Sequence, residues 1–206
     1  MNDSPAPLQI GEFIEQLDSS GLIVSSYVLR THEAHIRVLN PVRGDDDAHT
    51  PWRPIFGDRL DSRTQWNQAS SNPELTLEGE PPMGTVDRLV LEALLQVLVD
   101  RLEAPVVVAQ WEGYAGSDFP ETAVRAILPP ERESGVWTLP ARELLQFERV
   151  PMRWWDPQFS WAVGNDIYAR SVFVSAGASM IQKILDDPTI EAFKVTPDDP
   201  VDIEDL

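Results

Sequence analysis

His32-Glu33-Ala34-His35 places two imidazoles and a carboxylate within four residues. A zinc-protease helix spaces its histidines four apart with the base between them, so that both rings share one face. Here the spacing is one residue short. The segment also falls between two strand-like stretches, where positions 32 and 35 point to opposite faces. Ordinary surface histidines are expected. Asp45, Asp46 and Asp47, with His49 nearby, offer oxygen to a hard cation. Calcium loops, however, alternate their ligands around a glycine, and three adjacent carboxylates do not converge without a specific bend. A solvated acidic loop is expected, and neither a metal nor a cofactor is predicted.

No serine stands in a Gly-x-Ser-x-Gly elbow, and no glycine loop has the spacing of a phosphate cradle. Ser175 to Ser179 opens a helix whose free N–H groups could hold an anion, but no Lys or Arg lies near, and plain capping is expected. Glu112 and Asp166 each end an apolar strand, where partial desolvation would raise a carboxyl pKa. The alternative is two strand ends facing solvent. No catalytic residue is assigned.

The aromatic residues make the best binding set. Trp111, Tyr114, Trp154, Trp155 and Trp161 lie at or near strand ends, with Arg153 beside the Trp pair. Tryptophan and arginine are the residue types that dominate interfaces. Successive side chains of an extended chain point to opposite faces. One of Trp154 and Trp155 is therefore expected to line a cleft or partner surface, the alternative being packing beneath the loop at 70–84. The candidate set is Trp111, Glu112, Tyr114, Arg153, Trp154, Trp155 and Asp166.

These residues need a scaffold. Apolar spacing predicts a helix over 10–17, then strands over 21–29 and 35–39 joined as a hairpin. Residues 40–54 read as a loop, with one short helix around Trp66. Thr85 to Glu103 is the clearest helix, capped by Thr85 and carrying a polar stripe at Arg88, Glu92, Gln96 and Asp100. VVVAQW at 106–111 reads as a central strand covered on both faces. Further strands are expected over 122–128, 136–139, 160–166, 171–174 and 190–195. Helical turns are expected over 141–147, and a helix with Met180, Ile181, Ile184 and Leu185 inward. The segment 153–195 is read as the part of the sheet that the rest packs against. The pattern predicts a single α+β domain over 10–196 with a mostly antiparallel sheet, one long buried helix and a C-terminal helix–strand unit. A flexible arm at 1–9 and a disordered acidic tail at 197–206 flank it.

Composition narrows the partners. The 206 residues hold 34 acidic against 16 basic side chains, a formal net charge of -18, and no cysteine. Disulfides and thiolate chemistry are excluded. Such a field repels nucleic-acid phosphates and anionic lipid. A basic protein partner suits it, as does a lineage whose proteins are all acidic. No signal-like leader or membrane-length apolar run is present, so a cytoplasmic protein is expected.

VAQWEGY, ILPPERESGVWTL, RWWDPQFSWAVGNDIYARSVFVSAG and DDPTIEAFKVTPDDPV together resemble an uncharacterised family of actinobacterial proteins. HIRVLNPV and PWRPIF resemble its N-terminal half, so the likeness spans most of 20–200. The chain departs from that pattern at Ser175-Ala176-Gly177, where the family has a glycine pair, and at Asp156, where it has proline. The resemblance names no reaction. Element order and the Trp-x-Gly turn are also similar to SUKH-type immunity proteins. That likeness implies a cytoplasmic, non-enzymatic α+β protein that neutralises a toxin domain by binding it. The expected function is an acidic protein-binding module; the alternative is a small-ligand binder or enzyme with an aromatic-lined pocket.

Overall fold

The computed structural model describes residues 7–44, 48–70, 79–114 and 119–201. Eight antiparallel strands make one sheet: β1 (Ala34–Leu39), β4 (Pro105–Trp111), β5 (Val124–Leu128), β6 (Arg132–Pro140), β7 (Arg153–Trp155), β8 (Trp161–Gly164), β9 (Ser171–Ala176) and β10 (Glu191–Val195). Their order is β10-β1-β9-β8-β7-β4-β6-β5, and β2 (Val42–Arg43) pairs β3 (His49–Thr50) separately. The meander β7-β8-β9 is central, as its continuous apolar character requires. The first strand lies between the last two.

Strand periodicity explains how the sheet buries both faces. Val106 and Val108 of β4 face one core, and Val107 and Ala109 face another. Two helices cover the first face: α4 (Arg88–Leu98) and α5 (Ala178–Leu185). The second is covered by α1 (Pro7–Glu15) and the irregular segment 21–29. A third, smaller core joins Leu39 and Val42 to Trp52, Phe56, Leu60 and Trp66. It contains the short helices α2 (Arg53–Phe56) and α3 (Asn67–Ser70). The fold is thus α+β with a mostly antiparallel sheet. Among the described residues, no helix is long and apolar enough to cross a membrane.

The two-sided covering corrects the expectation about the Trp pair. Trp154 and Trp155 are each 1% exposed. They do point to opposite faces, but each face has its own core, so neither lines a surface.

Other expectations shift for identifiable reasons. The long helix begins at Arg88 and not Thr85, because Asp87 caps it by accepting from the Leu89 N–H. The Thr85 hydroxyl accepts from the Val150 N–H instead. The helix ends at Leu98, since Val99 is extended and the Leu102 and Ala104 carbonyls turn to accept from Arg142 and Ala141. The strand expected at 21–29 is a 3₁₀ turn, Val24–Ser26. Its Val24 and Ser25 N–H groups go to the Asp199 and Pro197 carbonyls, so residues 197–201 are docked and are not a free tail. The predicted hairpin is absent because β1 pairs β9 and β10. Helix α1 starts within the expected arm, at Pro7. Residues 1–6 of that arm, Asp45 to Asp47, 71–78 of the loop expected at 70–84 and 202–206 of the tail lie outside the described residues.

Candidate functional site

Of the seven candidate residues, Trp154 and Trp155 leave for the cores, and four of the others gather at one end of β4, β6 and β7. Trp111 and Tyr114 meet edge-on, with ring centroids 5.3 Å apart. That approach needs Gly113, where a Cβ would lie 2.1 Å from the Trp111 ring. The Arg132 guanidinium sits 5.3 Å above Trp111 and pairs with Asp166 at 2.9 Å. Arg149 lies 4.5 Å over Tyr114, whose hydroxyl donates to the Gly84 carbonyl. Cation–π contacts therefore fix both rings from above. Glu112 turns away to an exposed Arg125 at 3.0 Å, and its other oxygen is buried without a partner among the described residues.

Arg153 is the unusual member. It is 2% exposed, and its Nη2 donates to the Pro129 carbonyl, a neutral acceptor. Its guanidinium lies 5.4 Å from the Tyr27 ring. Nη1 has no partner among the described residues, and neither does Nε of Arg132. Burial pushes Arg153 down to about 10, opposed by Tyr27 and Asp166, so it stays charged at neutral pH. Burial also pushes the Tyr27 phenol up to about 12, with Asp166 acting in the same direction. The phenol is neutral and donates to the Gly21 carbonyl at 2.7 Å.

Arg153, Arg132, Trp111 and Ser134 line a void of about 10 Å³. A water needs about this much room. Arg132, Arg149 and Tyr27 were missed in the sequence. Arg132 lies in PPERESG, which reads as a spacer, and the only signal was an arginine next to the strand start at Gly135-Val136.

The larger depressions lie elsewhere, on either side of the chain that leaves α4. One, of about 670 Å³, is lined by Leu98, Val99, Trp161 and Met180, with Asp100 and Asp156. The other, of about 370 Å³, is lined by Leu95, Val99, Leu102 and Leu145, with Glu92 and Asp100. They share Val99, Asp100 and Arg101. The two together carry the carboxylates of Glu92, Asp100 and Asp156 and the guanidinium of Arg101, with Glu92 also paired to Arg88 at 2.6 Å.

The remaining motifs have structural partners. His32 bridges the Ser175 hydroxyl and the Phe159 carbonyl, each at 2.7 Å. His35 Nε2 donates to the Leu29 carbonyl at 2.9 Å. Glu33 accepts from the Ala178 N–H, so the helix start at 175–179 receives a carboxylate from the chain itself. Among the described residues, no group of three or more His, Asp or Glu is placed to hold a metal ion. Comparison with protein-family models, curated proteins and solved structures found no match for this chain.

Proposed function

We propose that this chain is an acidic protein-binding module that receives a basic, partly apolar segment of another protein across the end of α4. The observation that carries the reading is the pair of adjoining depressions sharing Val99 to Arg101, lined by apolar side chains together with carboxylates. Leu102 stands beside them 45% exposed, more than a core leucine would be. Apolar contact would supply affinity, and opposite charge would supply orientation and a fast encounter. The overall charge of -18 extends the same field beyond the groove. Trp154 and Trp155 play no part; Trp161 lines one of the two depressions.

The resemblance to SUKH-type immunity proteins fits this reading, with a toxin domain as the partner class. The actinobacterial resemblance adds no activity. A chain without cysteine suits a reducing, cytoplasmic setting.

The test is a photo-crosslinking residue placed at Leu102 and activated in native lysate. The expected result is stoichiometric capture of a protein with a positively charged contact surface. Capture should weaken with salt and disappear in the double variant Asp100→Lys, Asp156→Lys. Undiminished capture in that variant, or no stoichiometric product at all, would defeat the reading.

A further inference from the structure

We propose that the void between Arg153 and Arg132 is a binding site for one small monovalent anion, with chloride the ion of suitable size and charge. The first support is charge. Among the described residues, Arg153 and Arg132 line the void with two positive charges, and Asp166, paired with Arg132, returns one negative. Asp166 is committed to Arg132 and to the Tyr168 N–H, so among the described residues Arg153 has no ion pair and feels the Asp166 charge only at longer range. A buried cation in that position is costly unless a counter-charge reaches it.

The second support is the pair of orphaned donors. Arg153 Nη1 and Arg132 Nε are both buried and unpartnered among the described residues, and both arginines line the void. Buried polar groups are nearly always satisfied, and two unsatisfied N–H groups beside one cavity call for an acceptor. An anion in the opening would accept from such donors and neutralise the excess charge. A water could accept from both but would leave the charge in place.

Size supplies the third support. About 10 Å³ of water-accessible space suits a monatomic ion better than phosphate, sulfate or an organic carboxylate. Gly164 preserves the geometry: a Cβ there would meet the Tyr27 carbonyl at 2.2 Å and Arg153 Cγ at 3.3 Å. The Tyr27 backbone therefore rests on β8 while its ring backs the guanidinium.

Anything that binds only the folded state raises its unfolding midpoint. The full chain, freed of halide, would be melted in sodium gluconate and in sodium chloride at matched ionic strength, so that screening is constant. The midpoint should rise and saturate with chloride, by roughly 5–10 °C at a hundredfold excess over Kd. Arg153→Met should abolish the response whatever its own midpoint. Arg30→Ala, which removes a surface pair with Asp198, should keep it. Should Arg153→Met fail to fold, a bromide-soaked crystal of the unaltered protein should show an anomalous peak in contact with both guanidinium groups. Equal midpoints in the two salts, or water at the position and no halide, would overturn the proposal.

Discussion

Trp155 stacks on Phe13 at 3.9 Å with the rings 9° from parallel. Trp154, one residue earlier, meets Trp161 edge-on at 5.4 Å on the opposite face of the sheet. Helix α1 is thus pinned to the sheet through an indole that a one-sided sheet would have left in solvent. Trp155→Ala and Trp154→Ala should each cost about 3–5 kcal/mol. A double-mutant cycle between Phe13 and Trp155 should return a coupling of about 0.5–1.5 kcal/mol by urea unfolding. Additive single effects would show that α1 is not held by this stack.

Asp87 does more than begin a helix. It is 1% exposed and caps α4, and its carboxylate also meets Arg43 at 3.0 Å and His49 at 3.4 Å. Its own N–H donates to Asn40, which also holds the Pro82 and Thr85 carbonyls. Asp87→Ala should therefore cost more than an ordinary cap, at about 2–4 kcal/mol, since Arg43 and His49 lose their partner as well. Thr85→Ala loses the hydroxyl's two contacts with Val150, one accepted from its N–H at 2.9 Å and one donated to its carbonyl at 3.4 Å, and should cost about 1 kcal/mol. Comparison of the two midpoints in denaturant decides which residue caps the helix.

That pair also shows what was legible beforehand. The polar stripe Arg88, Glu92, Gln96 is exposed as its spacing implied, and the apolar run 106–109 is fully buried as a central strand. Periodicity reports burial, and burial was read correctly in both places. The cap was missed because Thr and Asp both cap well, and the choice between them was made by Val150, 65 residues away. The 21–29 stretch was misread for a similar reason. Its β-branched residues suit a strand, but its donors are taken by 197–199 before any strand partner reaches them. The candidate site was half visible. Residue type identified Trp111, Tyr114, Arg153 and Asp166, while the arginines that fix them come from segments that read as connections.

Gly164 is required by a neighbour and not by its own backbone angles. A Cβ at that position meets backbone of segment 21–29, which cannot move without disturbing the Tyr27–Arg153 contact. Gly164→Ala should destabilise by about 1–3 kcal/mol through overpacking. It should also change the near-ultraviolet signal of Tyr27. A variant as stable as the parent would mean that 21–29 is looser than its packing implies.

His35 should make stability fall on mild acidification. The imidazole is buried at β1, and burial lowers its pKa below the ordinary 6.5. The hydrogen bond to Leu29 opposes this, while His32 and Arg30 reinforce it. The unfolded chain then takes up a proton at a pH where the folded chain does not. Below 6.5, and down to the folded value, the unfolded state binds more protons, so stability decreases as pH falls through that window and is fully retained above it. His35→Asn should flatten this part of the profile, measured as urea midpoints between pH 7 and pH 5. A second loss belongs to Asp18 and Asp61, whose hydrogen bonds to Ser20 and Arg63 hold them below 3.8. Their contribution is present above that value and disappears as pH falls through their folded values. A profile for His35→Asn that still declines like the parent's below 6.5 would assign the first loss to another group.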